Sequence, residues 1–365
     1  MSLPGRAPAG SAAAESSAAE SSAAESSAAD AAAAGRASEA LAIPVEPPGD
    51  PATFPALVEE IRRLSRERDA VILAHSYERP EIQDVADHVG DSLMLSRVAA
   101  TAPQSTIVFC GVSFMAETAK ILSPSKRVLL PDLAAGCSLA DSITVDQLRA
   151  WKAEHPGAVV VSYVNTTAAV KAESDYCCTS SNARSVIEAI PADRRILFLP
   201  DMFLGMWLER VTGRKLTIWL GECHVHAGIR ASDVERWHRE EPGAELLIHP
   251  ECGCTSQVIE AAGDAAFGGK PAHILSTEGM VSFAERSNAP AFLVATEIGI
   301  LHRLELKAPG KRFVPVNREA VCQYMKLITL PKLRDSLRDG VHEIDVPPEV
   351  AARARLALER MLAIG

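Results

Sequence analysis

From about residue 55 onward, apolar and polar positions alternate between two periods. Leu57, Ile61 and Leu64 recur at helical spacing and predict an amphipathic helix beginning near Pro55. Ala70-Val71-Ile72-Leu73-Ala74-His75 is a short, unbroken apolar run, the mark of a strand covered on both faces. A helix from about Pro80 to His88 comes next, with Pro80 suited to a first helical turn. This strand–helix alternation continues to about residue 316 and predicts parallel sheets with helices on both faces. The stretch after that reads as helices, most clearly from Pro347 to Leu362.

The alternation also repeats on a longer scale. One copy starts at Ile72-Leu73-Ala74-His75 and runs through Asp87 to Asp91-Ser92. A second starts at Val161-Ser162-Tyr163-Val164-Asn165 and runs through Asp175 to Ser180-Ser181. A third starts at Leu247-Ile248-His249-Pro250-Glu251 and runs through Ala261-Ala262-Gly263-Asp264 to Ser276-Thr277. The openings at His75, Tyr163 and His249 are 88 and 86 residues apart. Each copy then has a second apolar strand (Thr106 to Phe109, Ile196 to Leu199, Phe292 to Ala295), a helix, a third strand and a cysteine. Val128-Leu129-Leu130-Pro131 leads to Cys137, and Arg312 to Val316 leads to Cys322. Leu216 to Leu220 leads to Gly221-Glu222-Cys223-His224-Val225-His226. The predicted organisation is a disordered tail (1–52), three α/β repeats (53–150 with the N-terminal helix, 151–240, 241–330) and C-terminal helices (331–365).

The tail is Ala, Ser, Glu, Pro and Gly, with Glu-Ser-Ser-Ala-Ala recurring from Glu15. Such a segment has little to bury and reads as disordered. It carries −5 of the net charge of −10, and an acidic total argues against a general nucleic-acid binder. No apolar run is long enough to span a bilayer or to act as a signal peptide, so the reading is no membrane and a reducing, cytoplasmic setting. The eight cysteines are then ligands or core residues rather than disulfides. The first strand is not followed by a dinucleotide fingerprint, and neither a P-loop nor a serine-hydrolase elbow occurs.

In parallel α/β units, functional groups gather beyond the carboxyl ends of strands. Three such units around a pseudo-threefold axis would bring Cys137, Cys223 and Cys322 to one point. Three thiolates from separate units suit a [4Fe–4S] cluster whose fourth iron stays open, and an open iron is a Lewis acid. Three alternatives stand beside this: buried cysteines acting as small hydrophobes, a zinc lyase or hydrolase using Cys223, His224 and His226, and a non-catalytic iron–sulfur sensor. His224 and His226 otherwise read as second-layer groups hydrogen-bonded towards the cluster. Cys110, Cys177 and Cys178 sit in apolar strands and read as core, whereas Cys252 and Cys254 are rival ligands. The pairs His75 and Tyr77, Tyr163 and Asn165, and His249 and Glu251 repeat one arrangement of polar residues at a strand end. Asp91-Ser92, Ser180-Ser181 and Ser276-Thr277 precede helices, where hydroxyls cap and free N–H groups bind anions.

At these residues the chain resembles the quinolinate synthase (NadA) family, from about residue 55 to the end. The stretches that carry the likeness include Pro80-Glu81-Ile82-Gln83, Gly90-Asp91-Ser92-Leu93 and Phe114 to Leu122. Others are Tyr163-Val164-Asn165-Thr166, Val170-Lys171-Ala172, Thr179-Ser180-Ser181, Gly221 to His226 and His249-Pro250-Glu251. The resemblance implies three pseudo-threefold-related α/β domains with parallel sheets around one central [4Fe–4S] cluster per chain, held by Cys137, Cys223 and Cys322. It implies substrate contacts at His75, Tyr77, Ser92, Tyr163, Val164, Asn165, Ser180, His249, Pro250, Glu251 and Thr277. The activity implied is a transferase of NAD biosynthesis that condenses iminosuccinate with dihydroxyacetone phosphate to quinolinate, losing phosphate and two waters. Glu251 would shuttle protons with help from His75 and Tyr77, and a transient contact with L-aspartate oxidase would supply the imine. The segment Gln323-Tyr324-Met325-Lys326 after Cys322 departs most from the family pattern.

Overall fold

The computed structural model describes residues 47, 49–255, 266–267 and 270–364. The predicted tail up to residue 46, and the Ala261 to Asp264 portion of the third repeat, lie outside the described residues.

The described strands form three sheets, each drawn from one contiguous stretch of chain. The first holds β1 (Ala70–His75), β2 (His88–Gly90), β3 (Thr106–Cys110) and β4 (Arg127–Leu129). The second holds β5 (Val159–Tyr163), β6 (Tyr176–Cys178), β7 (Ile196–Leu199) and β8 (Thr217–Ile218). The third holds β9 (Glu245–Ile248), β10 (Ala266–Phe267), β11 (Lys270–Ile274), β12 (Ala291–Ala295) and β13 (Arg312–Pro315). Their orders are β2-β1-β3-β4, β6-β5-β7-β8 and β10-β11-β9-β12-β13, so one topology recurs three times, with β10 added at the edge of the third. Every pairing is parallel except β10 with β11. Strands β1, β3, β5, β7 and β12 are buried along their whole length, as unbroken apolar runs in covered parallel sheets must be.

Each copy therefore has at least four strands where the hydrophobic pattern predicts three, the third having five. The extra ones, β2, β6 and β11, are three to five residues long, and two of the three are too short to show a period. An aspartate places the first two. Asp87 donates its N–H to the Ile72 carbonyl (2.9 Å) and accepts the Ile72 N–H on its carboxylate (2.8 Å). Asp175 does the same with Val160, at 3.0 and 2.8 Å. This is why Asp87 and Asp175 match in the repeat. It is also why the helix that starts at Pro80 ends at Val85 rather than His88: Ala86 turns extended and the chain joins the sheet edge.

The two C-terminal helices are not a separate layer. The helix Leu330–Asp339 packs Leu333 and Leu337 with Ile61 and Leu64 of the helix Phe54–Glu67 beside the first sheet. The helix Pro348–Ala363 buries Ala354, Ala357, Leu358 and Met361 against helices of the first and second repeats. Its Met361 carbonyl accepts a hydrogen bond from the Asn182 amide at 2.9 Å. No described helix is long and apolar enough to cross a membrane.

Gly221 ends the strand run that leads to Cys223, and it needs its missing side chain. A Cβ there would lie 2.5 Å from the Pro200 carbonyl oxygen and 2.4 Å from the Ser142 hydroxyl. Gly221 also donates to Pro200 (3.0 Å) and accepts from Met202 (2.8 Å), so its backbone is fixed at both ends. Gly221→Ala is expected to cost about 1–3 kcal/mol by overpacking. A lower urea midpoint together with faster alkylation of Cys223 would show the strain reaching that loop; an unchanged midpoint would show that the loop yields.

Candidate active site

All three sheets send their carboxyl-end loops to one cavity. Cys137, Cys223 and Cys322 all line it. They are half-buried, whereas the other five cysteines are fully buried. Cys252 and Cys254 do not reach the cavity; the Cys252 thiol instead donates to the Ala295 carbonyl at 3.0 Å.

The three cysteines share one local geometry. Each carbonyl accepts the N–H four residues on: Asp141 to Cys137 (3.0 Å), Ala227 to Cys223 (2.8 Å), Lys326 to Cys322 (3.1 Å). Each therefore opens a helical turn, and its sulfur receives the backbone N–H three residues on, from Ala140, His226 and Met325 respectively. Such N–H groups favour a charged sulfur. Burial acts against this and pushes the Cys137 and Cys322 thiols up to about 12 and Cys223 well above its ordinary value. Cys223 is raised further by Glu251 and by the other two cysteines. Three thiols that disfavour one another's ionisation, each with an N–H aimed at it, fit a site built for a cationic metal centre.

The polar residues expected at strand ends also meet here. His75, Tyr77, Tyr163, Asn165, His249 and Glu251 all line the cavity. So do Ser92, Ser180 and Thr277. Val164 and Pro250 do not: Val164 packs in the core with its N–H on the Cys178 carbonyl (2.8 Å), and Pro250 is buried beside the site. In the first repeat the cap is one residue before the expected hydroxyl: Asp91 caps its helix and Ser92 faces the cavity. In the third, the Ser276 hydroxyl caps its helix as expected and Thr277 lines the cavity. Ser180 is not a cap at all; its hydroxyl lies 3.2 Å from His249 Nε2.

Glu251 is the electrostatic centre. Its Oε2 is 2.9 Å from His226 Nδ1 and 3.8 Å from His249 Nδ1, and Tyr163 also hydrogen-bonds the carboxylate. Burial by itself would raise this carboxyl, but His249, His226 and Tyr163 outweigh it and hold it at about 2. Glu251 is thus an anion at neutral pH, and its Oε1 has no hydrogen-bond partner among the described residues. His75 and His249 are pushed down to about 3, first by burial, so both are neutral. The Tyr77 N–H donates to His75 Nδ1 at 3.2 Å. The single proton of the neutral His75 ring therefore sits on Nε2. Asn165 Oδ1 is likewise buried without a partner among the described residues.

Some residues with a part here were not singled out in the sequence. Thr296 Oγ1 is 2.5 Å from the Tyr77 hydroxyl and 3.0 Å from His226 Nε2, so a hydroxyl links Tyr77 to the His226–Glu251 pair. His226, read from the sequence as an outer group, touches Glu251 directly. Thr296 and Glu297 directly follow β12, the same strand-end placement that marks His75 and Tyr163, and that was the available signal. His224 does not offer a ligand nitrogen: Nδ1 is 2.6 Å from the Ser138 hydroxyl and Nε2 is 2.9 Å from Gln323 Oε1. The metal-type grouping in this region is instead Cys223, His226 and Glu251, with donor atoms within 4.8 Å of one another.

A buried ion pair anchors the Cys322 loop. Glu297, fully buried, accepts from Lys326 Nζ (3.0 Å) and the Cys322 N–H (3.1 Å) on Oε1 and from the Gly299 N–H (2.6 Å) on Oε2. Lys326 also donates to the Tyr77 carbonyl, and Arg79 Nε donates to the Lys326 carbonyl at 3.0 Å. Removing one partner of a buried pair strands the other charge. Glu297→Ala is expected to lose about 3–5 kcal/mol in urea unfolding; a loss below 1 kcal/mol would mean that Lys326 finds water or another acceptor.

The family described as quinolinate synthetase A protein (NadA) matches residues 59–363. A protein named quinolinate synthase from Mycobacterium sp. strain KMS is 61% identical over 307 residues, 84% of this chain and 91% of that protein. One of the same name from Mycobacterium tuberculosis strain H37Ra is 60% identical over 84% of this chain and 88% of its own. One from Mycolicibacterium paratuberculosis is 58% identical over the same shares. A match of this extent, over the segments that build the cavity, places the chain in the NadA family of quinolinate synthases.

Proposed function

We propose that the cavity condenses iminosuccinate with dihydroxyacetone phosphate to quinolinate, releasing phosphate and two waters, with Cys137, Cys223 and Cys322 holding one [4Fe–4S] cluster. The observation that carries this reading is the delivery of one half-buried cysteine from each of three sheets to the cavity that Glu251 also lines. Three thiols leave one iron of such a cluster without a protein ligand, and the bound cluster supplies a Lewis acid for removing a hydroxyl.

The remaining roles belong to the side chains. Both reactants are anions, and two neutral histidines and several hydroxyls offer them hydrogen bonds beside the charged Glu251. Ser92 and Thr277 stand in the first turns of ten-residue helices, where free N–H groups and the positive dipole end attract carboxylate or phosphate. Asn165 lines the cavity, and its unpartnered Oδ1 accepts a hydrogen bond from a substrate N–H or O–H. His75, with its proton on Nε2, donates a hydrogen bond to a substrate oxygen. Glu251 is the base: it is ionised at neutral pH and has one oxygen unengaged among the described residues. His226, Thr296 and Tyr77 extend it into a path along which protons pass during tautomerisation and loss of water.

Anaerobically prepared protein is expected to hold about four irons and four sulfides per chain and to form quinolinate from the two substrates. Cys223→Ala should lose both the brown colour and turnover; one zinc per chain, or turnover without iron, would end the proposal. Glu251→Gln is expected to keep its iron while turnover falls by about 10²–10⁴-fold. Wild-type rates in that variant would remove Glu251 from the chemistry.

A further inference from the structure

The residue that follows each cavity cysteine is polar, and the three are bonded in a row. Ser138 follows Cys137, His224 follows Cys223 and Gln323 follows Cys322. The Ser138 hydroxyl is 2.6 Å from His224 Nδ1, and His224 Nε2 is 2.9 Å from Gln323 Oε1. The amide oxygen of Gln323 only accepts, so the ring proton lies on Nε2 and Nδ1 accepts from Ser138. The row joins the loop after β4, the loop after β8 and the loop after β13, one from each sheet. These loops are 86 and 99 residues apart along the chain at the bonded positions.

The surroundings hold this ring in place. The Tyr324 ring packs edge-on against His224, with centroids 6.2 Å apart at 76°. Tyr324 reaches that position over Gly136, where a Cβ would sit 3.5 Å from it. Each of the three bridge residues also lies in the first turn opened by its cysteine. A shift of one loop therefore moves its sulfur and its bridge residue together.

We propose that Ser138–His224–Gln323 is a spacer that fixes the distances among the three cysteine loops, with His224 as the positioning residue for the metal centre. His224 does not bind the metal, because both ring nitrogens are engaged. The inference rests on the functional reading above, since it requires that the three thiols hold one centre. Partners that orient ligands in this way typically change metal affinity by about 10–100-fold when removed.

The test compares His224→Ala with the double variant Ser138→Ala/Gln323→Ala, each reconstituted anaerobically with ferrous iron and sulfide. Iron release to bathophenanthroline, the visible absorption of the cluster and its reduced-state EPR signal are recorded beside the melting temperature of the metal-free protein. Iron is expected to leave His224→Ala about 10-fold faster than the wild type, with an altered EPR signal and a metal-free melting temperature within a few degrees. The double variant should reproduce both changes while keeping the imidazole. Iron release at the wild-type rate in either variant overturns the proposal, as does a loss that only follows a lowered melting temperature. If His224→Ala does not fold, the double variant decides alone. Wild-type protein that takes up no iron overturns the functional reading, and the spacer with it.

Discussion

Three cysteines from three sheets line one cavity, where burial works against ionisation of each thiol, and the rest of the molecule is arranged so that they stay there. Each sits at the start of a helical turn and takes an N–H from three residues on. No one sheet could bring this about. A single strand–loop–helix unit supplies one cysteine, and the cavity exists only where three such units meet. The dependence runs outward to Gly221, to the Glu297–Lys326 pair and to the Ser138–His224–Gln323 row, each of which fixes a cysteine loop rather than a substrate.

Burial sets the second half of the chemistry. The same desolvation that keeps His75 and His249 neutral would also keep Glu251 protonated. It does not, because His226, His249 and the Tyr163 hydroxyl surround that one carboxylate. The cavity thus sets the ionised Glu251 beside two neutral histidines, His75 and His249, an arrangement suited to reactants that must gain and lose protons in place. The hydroxyl of Thr296 connects Tyr77 to His226 and so to this base, and residues that follow β1, β8, β9 and β12 act as one network although they lie far apart in sequence.

Much of this was legible in the residues. The long apolar runs announced the central strands, and the threefold spacing of His75, Tyr163 and His249 announced the repeated topology. The matching Asp87 and Asp175 proved to have a common task, closing a short edge strand onto the first strand of their copy. What failed to show was short or depended on a partner. Edge strands of three residues carry no period. Whether a serine caps a helix or faces a cavity is decided by a one-residue offset, as Asp91 and Ser92 demonstrate. Val164 and Pro250 adjoin site residues in the chain, yet successive residues leave a strand end in different directions, and neither reaches the cavity.

Hydrophobic period, strand-end polar residues and family likeness are properties of nearby positions, so the chain alone determined the three α/β units, the three cavity cysteines and the acid–base candidates. Which histidine touches Glu251, which one bridges the loops, and which cysteines stay in the core depend on distances across sheets, to which local pattern is blind. His224 and His226 differ by two places in the sequence and belong to different networks in the fold. That separation comes from the helical turn begun at Cys223, which turns one ring towards Ser138 and Gln323 and the other towards Glu251.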